Sequence, residues 1–210
     1  MKKVVWVAVL ILLAFISGYF FYKPLRQVFN VYTGNYTISL QPFDDLPQGQ
    51  AMRVYDRIKK DIPRLRINDA IPLPANAWFK ARGRYRADTI IHWLRERSGD
   101  TVLYIGMTSK DISTTKGTKA DWGVMGLGFQ PGNGCVVSTY RVNKANEDDQ
   151  LYKLCLHELG HNMGLPHCPE RYCYMRDAEG GNHKDEETGF CHSCAKVLER
   201  KGLHFTPVNK

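Results

Sequence analysis

The 210-residue sequence has no internal repeat and no low-complexity segment, which excludes solenoid and fibrous architectures. It has no run of five or more basic residues, although Lys and Arg outnumber Asp and Glu by 29 to 21 and the net charge is +8. Two of those charges, Lys2 and Lys3, sit at the N-terminus, and the rest are spread, with some density over 53–66 and 82–86. A basic arm of the kind that grips nucleic acid is therefore missing. A solvated basic surface accounts for the charge, as does a modest attraction to anionic surfaces or acidic peptides. Cysteine is absent from the first 134 residues, and four of the six copies that follow fall in two close pairs.

One apolar run stands out. Met1-Lys2-Lys3 precedes Val4–Tyr22, 19 residues without a charge, and Lys23-Pro24 ends it. As a helix it is about 28 Å long, close to the hydrocarbon thickness of a bilayer. It exceeds the usual apolar core of a signal peptide, Ser17 and Gly18 make a poor cleavage site, and no Cys follows for lipidation. An uncleaved signal anchor and a cleaved signal peptide are both open, and either places the rest of the chain outside the cytoplasm, with a membrane contact through this segment. The expected organisation is 1–22 as that segment, 23–34 as linker and 35–210 as one domain, divided into 35–164 and 165–210. About 190 residues suffice for one sizeable core.

Along the domain, Tyr36–Pro42 alternates and predicts a strand, Gln50–Asp61 has helical spacing, and Arg64–Asn68 predicts a second short strand. Asp69–Ala77 reads as a loop, Arg86–Ser98 as a helix, and Thr101–Gly106 as a buried strand. Asp111–Lys119 is polar and reads as a loop. Trp122–Phe129 is apolar but carries three glycines, which suits an edge strand or one approached closely by another backbone. Cys135–Val142 predicts a further strand. Asn146 with Asp149 resembles a capping box, opening a helix whose Leu151, Cys155, Leu156, Leu159 and Met163 face away from two histidines.

Those histidines carry the chemistry. In H-E-L-G-H-N-M-G-L-P-H-C, His157 and His161 stand one turn apart on one helix face, a spacing that lets two imidazoles reach one zinc. Gly164 can end the helix and let His167 return as a third ligand. Three neutral imidazoles and an open position make a catalytic zinc site, and Glu158 beside the first ligand can act as general base. His92, His183, His192 and His204 are out of ligand spacing. Cys168 and Cys173, then Cys191 and Cys194, have the spacing of a four-thiolate zinc site. They are equally compatible with disulfides in an exported chain. Cys135 and Cys155 read as small core residues, with a bond between them open. Met175 reads as a hydrophobic floor under the metal. Tyr172 and Tyr174 lie near enough in sequence to be considered for oxyanion stabilisation.

The run from His157 through Cys173-Tyr174-Met175 to Cys191-His-Ser-Cys194, about 38 residues, resembles the archaemetzincin family of metzincin metalloproteases, whose pattern is HExxHxxGxxHC, four residues, CxM, a spacer and CxxC. The resemblance implies an α+β metzincin-like fold: a twisted mixed β-sheet with a backing helix and an active-site helix, and a small zinc-stapled C-terminal subdomain. It implies catalytic zinc on His157, His161 and His167, Glu158 as base, structural zinc on Cys168, Cys173, Cys191 and Cys194, and Met175 as the Met-turn residue. It also implies a peptide or protein substrate, with aminopeptidase-like action on short peptides as one form, and an edge strand above the cleft, here Trp122–Phe129, that pairs with extended substrate. A monomer with no nucleic-acid partner is expected. The competing readings are a non-catalytic zinc-binding module that presents peptides, and a nucleic-acid binder.

Overall fold

The computed structural model describes residues 36–97, 99 and 101–209. The apolar run Val4–Tyr22 and the 23–34 linker lie outside them, and among the described residues no helix is long and apolar enough to cross a membrane.

The main sheet has the order β2-β1-β5-β9-β8. Its strands are β1 (Thr37–Pro42), β2 (Arg66–Ile67), β5 (Val102–Thr108), β9 (Gly134–Ser138) and the outermost β8 (Gly126–Gly128). The first four are parallel, and β8 runs antiparallel to β9. Alternation along the strands divides side chains between two cores. Ile38, Leu40, Leu103, Ile105, Cys135 and Val137 face helices α1 (Gln48–Asp61) and α3 (Glu147–Asn162). Val136 faces the other way, with Phe43, toward Ile90, Ile91 and Leu94 of α2 (Ala87–Glu96). Helices on both faces explain why V-L-Y-I-G-M-T reads as a nearly continuous apolar run.

A second sheet, β3-β4-β6-β7, is built from β3 (Trp78–Phe79), β4 (Arg84–Arg86), β6 (Ile112–Lys116) and β7 (Lys119–Val124). It corrects one expectation, because Asp111–Lys119 is not a loop. Ile112–Lys116 pairs with β7 as a hairpin whose turn uses Gly117 at φ 57. Only Ile112 of this strand adds apolar burial, and β-branched threonines on a half-solvated ribbon leave no hydrophobic alternation to read. The Trp122–Phe129 stretch is divided between sheets. β7 ends at Val124, the Met125 carbonyl accepts from the Ser138 amide at 2.8 Å, and β8 begins at Gly126.

Helix α3 departs from expectation twice. The Asn146 side chain makes no cap, because Asp149 is drawn into ion pairs with Arg57 at 2.6 Å and Lys153 at 2.7 Å, and Asn146 donates to Asp185. The acidic first turn, Glu147-Asp148-Asp149, nonetheless sits favourably at the helix N-terminus. The helix also has no solvent face past its first turn, since every residue from Gln150 to Asn162 is buried. The apolar side lies on the sheet, and residues beyond 165 cover the histidine side. Met175, Phe190 and Leu198 of α4 (His192–Glu199) join the same core. Each fully buried aliphatic here contributes about 1.5–3 kcal/mol, so the site rests on a rigid support.

Candidate metal centre and active-site cleft

Helix α3 ends in a left-handed glycine. Gly164 has φ 93, its amide donates to the His161 carbonyl at 2.8 Å, and the Leu165 amide donates to the Gly160 carbonyl at 2.9 Å. This is a Schellman stop, and it turns the chain so that His167 faces the helix it has just left. The ligand-capable nitrogens of His157, His161 and His167 all lie within 4.8 Å of one another, and the Nε2 atoms of His157 and His161 are 3.1 Å apart. Two tetrahedral zinc ligands at about 2.0–2.1 Å stand about 3.3 Å apart.

Each imidazole is oriented from behind. His157 Nδ1 donates to the Tyr174 carbonyl at 2.5 Å and His161 Nδ1 to the Leu165 carbonyl at 2.8 Å, which directs both Nε2 atoms to the common centre. His167 Nδ1 lies 3.2 Å from Asp177 Oδ2. Burial pushes His157 well below the ordinary imidazole range and His161 down to about 4, so both are neutral, the ligating form, near pH 7. Burial pushes the Glu158 carboxyl up to about 8, against the pull of the Lys184 ammonium.

The four cysteine sulfurs also fall within 4.8 Å of one another, and Cys168 Sγ and Cys191 Sγ are 3.7 Å apart. An edge of a zinc tetrahedron with Zn–S bonds of about 2.3 Å is about 3.8 Å, far longer than a disulfide. Hydrogen bonds from Cys194 and from the Cys191 amide hold the Cys173 thiol down at about 5, toward the thiolate that a metal needs. Cys135 and Cys155 are free and fully buried. The two clusters are tied together through Cys173-Tyr174-Met175. The Cys168 amide donates to the Met175 carbonyl at 2.8 Å, while the preceding carbonyl, of Tyr174, holds His157. Met175 is fully buried against α3, where a Cβ on Gly160 would lie 3.2 Å from Met175 Cε and closer to its Sδ. Gly160→Ala is expected to lower zinc affinity at the three histidines about tenfold by shifting this turn, measured by chelator competition.

A cleft of about 830 Å³ opens over the histidines, bounded by β8 on one side and residues 177–182 on the other. Glu158 passes directly beneath β8, where a Cβ on Gly126 would lie 2.8 Å from Glu158 Cδ and one on Gly128 2.8 Å from its carbonyl oxygen. Both expectations for these glycines are met: β8 is the outermost strand, and Gly126 and Gly128 admit the close approach of the Glu158 side chain and of its backbone carbonyl. Tyr172 and Tyr174 do not line the cleft. Sequence reasoning passed over Asp177 and the pair of Lys184 with Glu187, at 2.9 Å to each carboxylate oxygen and almost wholly buried beside His157. Their signal was faint, scattered polar residues between the cysteine pairs, a stretch that reads as lacking a core.

A family model for peptidase family M54 matches residues 46–200. The chain belongs to this family, the archaemetzincins. The archaemetzincin of Methanopyrus kandleri is 35% identical over 134 residues, 61% of this chain and 73% of that protein. That of Halobacterium salinarum is 33% identical over 140 residues, 60% of this chain and 78% of the relative. The crystal structure of the Methanopyrus kandleri archaemetzincin superposes with TM-score 0.68 at 28% identity, over 80% of this chain and 96% of that one. The Archaeoglobus fulgidus archaemetzincin, crystallised with malonate, shares the fold with TM-score 0.66 at 23% identity, over 77% of this chain and 99% of its own. This archaemetzincin is a zinc metallopeptidase acting on peptides or proteins, with an α+β fold and twisted mixed sheets. Its three-histidine and four-cysteine clusters suit one catalytic and one structural zinc.

Proposed function

We propose that the chain hydrolyses peptide bonds at the cleft over His157, His161 and His167, with Glu158 as general base, and that Cys168, Cys173, Cys191 and Cys194 hold the structural zinc. The observation that carries this reading is the convergence of three oriented, neutral imidazoles with a buried carboxyl at the cleft floor. Zinc held by the three imidazoles supplies a concentrated positive charge that polarises the scissile carbonyl and acidifies a water beside it. Glu158 takes the proton of the attacking water and passes it to the departing amine. With zinc bound, the Glu158 carboxyl that burial alone raises would be favoured in its ionised, basic form. The exposed edge of β8 suits main-chain pairing with an extended substrate, and its glycines leave room for Glu158 beneath.

This reading favours catalysis over a peptide-presenting module, because Glu158 lies at the cleft floor where a binding module needs no base. The apolar run Val4–Tyr22 supports a placement outside the cytoplasm, tethered or released. A mixed peptide pool read by mass spectrometry provides the test. Cleavage is expected to stop on chelation and return with zinc, and cleavage that persists in the metal-stripped protein would sink the proposal. The positions of the cut bonds separate endopeptidase from aminopeptidase action.

A further inference from the structure

The side of the cleft that belongs to the second sheet is basic. Arg82, Arg84, Lys116 and Arg141 line it, against Asp121 in the wall and Asp111 behind it. Arg141 lies flat over β7, where a Cβ on Gly123 would come 2.5 Å from its Cζ. Two bonds of 2.9 Å from its Nε and Nη2 to Asp111 fix the guanidinium and leave Nη1 without a hydrogen bond among the described residues. Arg84 is bound to Asp111 at 2.7 Å and Asp121 at 3.1 Å, so each carboxylate is already engaged and a positive surplus remains. The Lys116 ammonium meets no carboxylate within ion-pair distance among the described residues and lies 5.3 Å from the Trp122 ring centroid. Trp122 reaches toward the opposite wall, its Cζ2 3.8 Å from where a Cβ on Gly180 would stand. Trp122 and Gly180 therefore bring the two walls together beside Lys116, with Asp177 of the opposite wall close enough for the Lys116 charge to favour its ionised form.

We propose that this wall is a carboxylate-binding subsite for the peptide substrate, with Arg141 Nη1 and Lys116 Nζ as its donors. The proposal rests on the peptidase reading above. A guanidinium already fixed by Asp111 loses little freedom on binding a second carboxylate, and a site partly shut off from water strengthens the attraction. The ligand is a peptide carboxylate, carried either by an Asp or Glu side chain or by the C-terminus.

The test uses the zinc-loaded full chain and one peptide made with Glu or Gln at successive positions, each with a free or an amidated C-terminus. The expected result is a kcat/KM about tenfold higher for peptides with a carboxylate at one position, as for a hydrogen bond to a charged group. The Glu/Gln arm reports a side chain and the acid/amide arm a terminus. Arg141→Gln is expected to bring that ratio close to one. Lys116→Gln, at an exposed residue whose ammonium makes no ion pair among the described residues and only lies near the Trp122 ring, is expected to lower it with little risk to the fold. Binding of the same peptides to zinc-loaded Glu158→Gln protein gives the same comparison without turnover. A ratio near one in the wild type, or one unchanged in both variants, overturns the subsite. Failure to cleave any peptide overturns the peptidase reading instead, and the binding comparison then still decides the subsite.

Discussion

Glu158→Gln is expected to lower peptide turnover about a thousandfold, as for loss of a positioned general base, while the protein keeps both zinc ions. The amide has the shape of the carboxylate and fits the same space beneath Gly126 and Gly128, but it cannot take a proton from water. Turnover within a few-fold of wild type would remove Glu158 from the mechanism.

The same variant has a pH signature in the zinc-free protein. Burial raises the Glu158 carboxyl from 4.5 to about 8 in the folded chain, so the folded state holds a proton that the unfolded state has lost. Its contribution to stability is full below 4.5 and is lost as pH rises through about 8. His157 and His161 act with the opposite sign, being depressed below 6.5, but they are neutral in both states above it. Between about 6.5 and 8 the wild type should therefore lose stability more steeply with pH than Glu158→Gln, as read from denaturant midpoints at fixed pH values.

Cys173→Ser is expected to leave one zinc per chain and to weaken that remaining zinc about tenfold to a hundredfold, the usual cost of losing a residue that orients a ligand. Cys173 immediately precedes Tyr174, whose carbonyl holds His157 Nδ1, and Met175, which packs on Gly160. Loss of the thiolate frees this turn, so residues 168–191 should become open to limited proteolysis. Binding of zinc is coupled to ordering of the chain that supplies its ligands, so the variant loses fold and metal together. An unchanged zinc content, with the segment still protected, would mean that these cysteines hold no metal.

What the sequence made legible was the chemistry that needs fixed spacing. The histidine pair, the Gly164 stop and the four cysteines appear in the structure where local geometry demands them. Strand Val102–Thr108 was legible for a different reason, since cover on both faces leaves a nearly continuous apolar run. Other features depended on contacts distant in sequence. Helix α3 looked one-sided because its histidine face is covered by the glycines of β8 and by residues beyond 165, neither of which presents an apolar pattern that points to it. Ile112–Lys116 looked like a loop because a hairpin over a polar cleft gains little from hydrophobic alternation. Lys184 and Glu187 carry no pattern in the sequence that marks them for burial, yet they are buried because each satisfies the other. Asp149 looked like a capping residue until Arg57 and Lys153, one of them on another helix, claimed its carboxylate.

The central claim is that one turn, Cys173-Tyr174-Met175, joins two metal sites into a single unit. Zinc and free-thiol content of the purified protein test it most directly. Two zinc ions per chain are expected, with all six thiols titratable after denaturation and chelation. One zinc and only two titratable thiols would contradict it, because the four cysteines would then be two disulfides and nothing metallic would hold the turn behind His157.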